Sequence, residues 1–148
     1  MRRLVVLLAG LAVMAAACSS ADTGGAIKTA GSAAATTTAA PSCPAGSLPA
    51  TVNDHGTAAA SGAAITVSTG DSFFEPSCET RVPAGTVTVT VHNTGQALHN
   101  FSVSTQGIDQ DVAQGGSITV SVKVAADLVQ FFCKYHRTSG MVGALVSG

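Results

Sequence analysis

The chain has 148 residues, only 10% of them charged, and a formal net charge of −1. This near neutrality argues against nucleic acid as a partner, because no basic stripe is present to neutralise phosphates. The length allows one globular domain. This domain is expected to be shorter than the whole chain, because the composition of the first part is not that of a folded domain.

Residues 1–18 have the pattern of an export signal. Arg2 and Arg3 precede an uninterrupted small and apolar run that is too short to span a bilayer comfortably. The run ends in AAACSS, which resembles a bacterial lipobox with Cys18 as the acylated residue. An ordinary secretory signal with an incidental cysteine is the alternative. We predict an exported protein that is lipid-anchored through Cys18 on the extracytoplasmic face of a bacterial membrane.

Residues 19–42 contain little besides Ala, Thr, Ser and Gly. Such a composition cannot bury a core, so we predict a flexible tether with a mean reach of roughly 25–30 Å. The folded domain is then expected over residues 43–148.

Alternating apolar and polar residues begin near Ile65. The pattern is clear in TVTVTV at residues 86–91 and in SITVSVKV at residues 117–124. Further strands are predicted at residues 65–74, before Pro76, and at residues 142–146. No helical period of useful length appears, and turn signals recur between the strands, at residues 82–85, 93–95 and 115–116. The sequence therefore predicts an all-β fold, an antiparallel Greek-key β-sandwich.

The sequence CKYHRTSGM follows the strand-like stretch that ends near Phe132. Cys133, His136 and Met141 place a thiolate, an imidazole and a thioether in one short loop, with the spacing C-x2-H-x4-M. This soft donor set suits copper better than Mg²⁺ or Ca²⁺. A blue-copper site needs a second histidine, and His99 is the best candidate. His99 shares strand parity with Phe101, so its side chain is expected to face inward.

The segment TVTVTVHNTGQALHNF at residues 86–101, followed by Cys133, His136 and Met141, resembles the cupredoxin family of type 1 blue-copper proteins. The loop spacing is like that of plastocyanin and pseudoazurin, and the resemblance covers about residues 64–148. It implies a cupredoxin-like β-sandwich that binds one type 1 copper ion. The implied ligands are His99, Cys133, His136 and Met141.

The resemblance also extends to Asn100, because an asparagine often follows the upstream histidine in this family. In plastocyanin-like proteins that asparagine links to a hydroxyl residue after the cysteine. Lys134 stands at that position here, so the resemblance does not supply this link.

Four cysteines are present in what is predicted to be an exported protein. If Cys18 is lipidated and Cys133 binds metal, Cys43 and Cys78 remain as the natural disulfide pair. Free thiols or intermolecular pairing are the alternatives. Met141 would be the only methionine left after signal removal, which favours a ligand role over core packing.

Other interpretations of these residues are weaker. His99 by itself could be a core histidine and His136 a surface one, while His55 and His92 are expected to be exposed. Cys133 and His136 could also form a cysteine-hydrolase pair, but no orienting Asp or Asn is evident and Met141 would then have no role.

We therefore expect a monomeric electron carrier that is not an enzyme. A copper-handling protein of the envelope and a metal-free interaction module are the alternatives. Redox partner proteins are expected to dock near His136, on a surface flanked by Lys134 and Arg137 whose mildly basic charge would favour an acidic partner. The other flanking residues are Ala97, Leu98, Tyr135 and Val142.

Overall fold

The computed structural model describes residues 39–148, so the predicted signal, Cys18 and most of the predicted tether lie outside the described residues. Within this range the chain forms ten strands and two short 3-10 turns, at Ser104–Gln106 and Arg137–Ser139. No helix of residues 39–148 is long and apolar enough to cross a membrane. The strands are β1 Thr57–Ala59, β2 Ala64–Gly70, β3 Phe73–Glu75, β4 Cys78–Val82, β5 Gly85–Asn93, β6 His99–Val103, β7 Ile108–Val112, β8 Ser117–Val124, β9 Leu128–Phe132 and β10 Val142–Ser147.

The strands form two sheets that pack face to face. One sheet has the order β1-β4-β10-β9-β6-β7, and the other has the order β3-β2-β5-β8. The alternating valines of β5 point into the space between the sheets and are wholly buried. This arrangement follows from the period-two pattern, because one face of each sheet is apolar and must be covered. The predicted all-β sandwich is confirmed.

The prediction that the sheets are antiparallel is wrong. Strand β4 pairs in parallel with both β1 and β10, and β2 pairs in parallel with β5, which makes three parallel pairings among the eight between described strands. The chain passes from one sheet to the other between β3 and β4 and returns with β5. Because the chain crosses to the other sheet between β2 and β5, it re-enters the smaller sheet from the same end, and β5 can pair with β2 in parallel.

Several strands were not predicted. The stretch predicted as one strand over residues 65–74 is a hairpin, in which β2 and β3 pair across a tight turn at Asp71 and Ser72. Strands β1, β4 and β7 carry no clear alternation, since β1 is three residues long and β7 exposes its three central polar residues. Their strand state is set by their sheet neighbours rather than by their own pattern.

Three phenylalanines fill the core between the sheets. Phe131 lies 4.9 Å from Phe74 and 4.8 Å from Phe101 between ring centroids, and all three side chains are fully buried. Phe101 and Phe131 come from β6 and β9, the strands that carry His99 and lead into Cys133. The contact between these two buried rings therefore packs β6 and β9 together beneath the residues that carry the predicted donors.

The predicted disulfide between Cys43 and Cys78 is present. Cys78 begins β4, so the bridge attaches the segment before β1 to the larger sheet. This segment also contacts the loop between β9 and β10, where the Asn53 N–H donates to the carbonyl of Gly140 at 2.9 Å. The non-regular segment before β1 is therefore part of the domain and braces the loop that carries the predicted ligands.

Candidate metal centre

The structure brings the predicted donors to one end of the sandwich. Cys133 follows the last residue of β9, His136 lies in the loop between β9 and β10, and His99 is the first residue of β6. Their donor atoms lie within 4.8 Å of one another. The Cys133 Sγ is 3.6 Å from the His136 Nδ1 and 4.0 Å from the His99 Nδ1.

These separations fit one shared metal ion. For zinc, the neighbouring first-row ion, bonds of about 2.0 Å to nitrogen and about 2.3 Å to sulfur are typical. A nitrogen and a sulfur donor with these bond lengths, 120° apart around one ion, would be separated by about 3.7 Å. The two observed separations lie on either side of this value. Two imidazoles and one thiolate in this arrangement are the equatorial donors that suit copper.

Met141 closes the loop that carries Cys133 and His136. Its N–H donates to the His136 carbonyl at 3.2 Å, and its carbonyl accepts from the Cys133 N–H at 3.1 Å. Its side chain is fully buried. Gly140 precedes it with a φ of 84°, a left-handed conformation that glycine adopts without a Cβ penalty. This turn at Gly140 brings the Met141 backbone back to Cys133.

The four side chains differ in their access to solvent. His99, Cys133 and Met141 are fully buried, whereas His136 is partly exposed. Two large hydrophobic side chains next to the histidines in the chain are exposed, Leu98 before His99 by 47% and Tyr135 before His136 by 45%. The centre is therefore shielded from water on three sides and reaches the surface at His136.

Burial keeps the His99 imidazole neutral. Desolvation is the main cause that lowers the pKa of His99, and the neighbouring His136 lowers it further. A nearby carboxylate of Asp71 acts in the opposite direction but does not outweigh burial. A neutral imidazole has a free lone pair, which is the form that binds a metal.

Asn100 links the two segments that carry the donors, although Lys134 stands where the resemblance has a hydroxyl residue. The Asn100 Oδ1 accepts from the Lys134 backbone N–H at 3.4 Å and from the Ser102 hydroxyl. The backbone thus replaces the missing side-chain donor. Asn100 is fully buried, so its hydrogen bonds are protected from water.

Two aspartates of β7 complete this link. The Asn100 Nδ2 donates to Asp109 at 2.7 Å and to Asp111 at 2.9 Å. The Lys134 ammonium lies 2.8 Å from Asp109 and 3.0 Å from Asp111, and the Tyr135 hydroxyl donates to Asp111. We call these five residues the carboxylate clamp. It joins the loop after Cys133 to both β6 and β7.

The clamp alters the predicted charge of the surface around His136. The Lys134 ammonium holds the pKa of Asp109 and of Asp111 below the usual range, so both carboxylates are ionised. One positive and two negative charges leave a net −1 there. The Arg137 guanidinium lies over the Phe132 ring, 4.2 Å from its centroid. Lys134 therefore adds no free positive charge to this surface, whereas the charge of Arg137 is not paired with a carboxylate. The expectation that an acidic partner docks here stays a prediction.

The remaining histidines of the described chain lie away from the centre. His55 and His92 are exposed, as predicted. His55 stacks on Phe73, and the His92 ring bonds the Ser117 hydroxyl. Neither belongs to the group of donors that could share a metal.

The aspartates that surround the centre were not predicted from the sequence. Asp109 and Asp111 lie about 25 residues from the loop that they contact, and no local pattern connects them to it. The D-x-D spacing was the one usable signal, because it puts both carboxylates on the same face of a strand. Asp71, whose Oδ1 lies 3.7 Å from the His99 Nε2, carried no signal at all.

Comparison with known proteins gives a family and a set of similar folds. Residues 7–146 match the family model described as a cupredoxin-like domain. Reduced auracyanin from the photosynthetic bacterium Roseiflexus castenholzii is 21% identical, with a TM-score of 0.48 over 58% of this chain and 97% of that one. Amicyanin from Paracoccus versutus is 19% identical, with a TM-score of 0.47 over 57% of this chain and 81% of amicyanin. A fern plastocyanin mutant is 22% identical, with a TM-score of 0.46 over 56% of this chain and 99% of the plastocyanin. A search of curated protein sequences gave no match.

The family match spans most of the sequence, so the chain belongs to the cupredoxin-like family. Membership in this family and the group formed by His99, Cys133 and His136 identify the cofactor as copper of type 1.

Proposed function

We propose that this protein is an exported type 1 copper protein that carries single electrons between redox partners and is not itself a catalyst. The observation that carries the proposal is the convergence of one thiolate and two imidazoles within 4.8 Å on a rigid β framework. Bound copper supplies a one-electron Cu(I)/Cu(II) couple there.

The residues have distinct roles in this proposal. Cys133 would hold copper through a strong thiolate bond, His99 and His136 would add two imidazole nitrogens, and Met141 would add a weaker thioether donor. The strands on either side of the loop hold these donors nearly fixed when the oxidation state changes. Little reorganisation is needed, and little reorganisation favours fast electron transfer. The donor partner loses one electron, the acceptor partner gains one, and no proton has to move.

His136 is the proposed point of electron entry and exit. It is the one member of the four that reaches the surface, and the side chains that precede the two histidines, Leu98 and Tyr135, are exposed as well. We propose that redox partner proteins dock on this surface. An apolar contact there would exclude water from the path between the two redox centres.

The visible spectrum of the oxidised, copper-loaded protein tests the metal site. An intense thiolate-to-Cu(II) charge-transfer band is expected in the parent. The Cys133→Ser variant should lose that band and bind Cu(I) much more weakly, because a hydroxyl cannot replace a soft thiolate. Ser139→Ala, in the same loop, is the control and should keep the band. An unchanged spectrum in Cys133→Ser would remove Cys133 from the ligand set.

A second measurement separates a carrier from a copper-delivery protein. A carrier retains copper in both oxidation states and exchanges electrons quickly with its own oxidised form, whereas a delivery protein hands over Cu(I) quickly. The burial of Cys133 and His99 supports the carrier. Copper transfer to a chelator that is faster than electron self-exchange would favour the delivery protein, and a protein that binds no copper would be a metal-free interaction module.

We also propose that the protein is anchored to the outer face of the bacterial membrane through a lipid on Cys18. The sequence of residues 1–18 supports this proposal. The Cys18→Ala variant should appear in the soluble extracytoplasmic fraction with an unchanged copper spectrum. Persistent membrane attachment of this variant would count against the lipid anchor.

A further inference from the structure

One ring nitrogen of His99 is buried without a partner. The Nδ1 faces Cys133, but the Nε2 has no hydrogen-bond partner among the described residues, and the side chain is fully buried. A neutral imidazole that binds a metal through Nδ1 carries its proton on Nε2. The proposed ligand role therefore leaves a buried N–H donor that needs an acceptor.

The nearest carboxylate oxygen to this nitrogen belongs to Asp71. Its Oδ1 lies 3.7 Å from the His99 Nε2, just beyond hydrogen-bond distance. Asp71 stands in the turn between β2 and β3, and its side chain is 59% exposed. A movement of less than about 1 Å by this exposed side chain would complete the bond.

Backbone contacts hold Asp71 beside the segment that leads to His99. The same Oδ1 accepts from the Gln96 N–H at 2.8 Å. The N–H groups of Thr94 and Gly95 both donate to the Thr69 carbonyl, at 2.9 and 3.1 Å. The ends of β2 and β5, which are neighbours in the smaller sheet, are thus joined just before the chain continues to Asp71 and to β6. These contacts hold Asp71 close to the segment that leads to His99.

Gly95 keeps the space between the two groups open. A Cβ added at residue 95 would lie 2.6 Å from the Asp71 Oδ1 and 3.0 Å from the His99 Nε2. Its φ is not in the left-handed region, so the backbone itself does not require glycine here. The close approach of the carboxylate to the imidazole is what requires it.

We propose that Asp71 is a positioning residue of the metal centre, whose carboxylate accepts the Nε2–H of His99 and fixes the ring with Nδ1 toward the metal. This inference rests on the proposed role of His99 as a ligand. Ligating histidines generally donate their second N–H to a carboxylate, a carbonyl or water. The negative charge stabilises Cu(II) more than Cu(I), so Asp71 lowers the reduction potential.

The test uses the copper-loaded protein with two replacements of Asp71. Asp71→Asn keeps an oxygen for the N–H of Gln96 and His99 but removes the charge, whereas Asp71→Ala removes both. The reduction potential should rise in both variants, and copper affinity should fall about tenfold or more in Asp71→Ala. Asp127→Asn, the same charge change at the opposite end of β9 from Cys133, is the control and should leave the potential unchanged.

Proton NMR of the diamagnetic Cu(I) form gives an independent measurement. The Nε2–H of His99 should be visible and slow to exchange with solvent in the parent. Its exchange should be at least about tenfold faster in Asp71→Ala, because the bond that protects it is gone. Gly95→Ala should accelerate the exchange as well, since the added methyl separates the pair without changing any charge.

The outcomes distinguish the two proposals. If the parent has the thiolate charge-transfer band but Asp71→Ala has the parent potential and the parent Nε2–H exchange rate, the role of Asp71 is refuted and the copper site stands. Unchanged exchange in Gly95→Ala would likewise contradict the bond. A parent without the band would refute the copper site itself, and with it the role of Asp71.

Discussion

At the scale of single residues, Met141 is positioned by its backbone rather than by its side chain. Its two hydrogen bonds, to the carbonyl of His136 and the N–H of Cys133, join the end of the loop to its beginning. The fully buried thioether then has no solvent to interact with. The Met141 backbone is thus held in place whether or not the thioether binds copper, so a weak donor would suffice at this position.

We predict that Met141→Leu raises the reduction potential and that Met141→Gln lowers it. Cu(II) gains more from added donation than Cu(I), leucine donates nothing, and glutamine offers an amide oxygen. Copper binding should persist in both variants, because the equatorial donors supply most of the bonding. Leu145→Met, a volume-conserving change in the buried part of β10, is the control for altered packing. Voltammetry measures all three, and parent potentials in both Met141 variants would make Met141 a packing residue.

At the scale of elements, the carboxylate clamp joins three parts of the chain. It links the loop after β9 to β6 through Asn100 and to β7 through Asp109 and Asp111. Its ion pairs lie at the surface and add little to the free energy of folding. Its hydrogen bonds nevertheless restrict the loop that carries Cys133 and His136, so its effect is expected on the metal site more than on unfolding.

We predict that Lys134→Met accelerates the loss of Cu(I) to a chelator several-fold. The two carboxylates would then repel each other and pull away from Asn100, and the loop would open more often. Lys123→Met is the matched control, because Lys123 lies on β8 in the other sheet and should leave the rate unchanged. Stopped-flow measurement at low and high salt tests the electrostatic cause, since salt should reduce the difference. Equal rates at low salt for Lys134→Met and the parent would rule out a role for the clamp in metal retention.

At the scale of the whole domain, the segment before β1 connects the disulfide to the metal loop. Cys43 attaches it to β4, and Asn53 bonds Gly140. A Cβ at Gly140 would collide with the backbone of Thr51 and Asn53. The segment therefore packs tightly beneath the loop, and the loop depends on it for support.

We predict that replacing both Cys43 and Cys78 by serine lowers the free energy of unfolding by about 4 kcal/mol, since the chain-entropy model gives this value for a separation of 35 residues. Reversible denaturation in urea with the copper removed measures the change. The copper-loaded variant should keep its visible band, because neither cysteine contacts the metal. A parent-like unfolding midpoint would show that the bridge does not limit the unfolded chain.

The sequence alone was sufficient for the strand alternation and for the ligand loop. Period-two alternation is a local property, and it is visible wherever one face of a strand is buried, as in β5 and β8. The C-x2-H-x4-M spacing is also local, because Cys133, His136 and Met141 belong to one turn of chain. The pairing of Cys43 with Cys78 followed once the other cysteines had been given roles.

Only the tertiary structure decided the sheet order, the parallel pairings and the groups around the donors. Passage of the chain between two sheets fixes which strands become neighbours, and no local pattern encodes it. Three carboxylates reach the centre from parts of the chain more than ten residues away from the loop at residues 133–141: Asp71, Asp109 and Asp111. Their relation to His99 and Lys134 depends on distances in space of 2.8 to 3.7 Å, which are set by packing of the sheets and not by spacing along the chain.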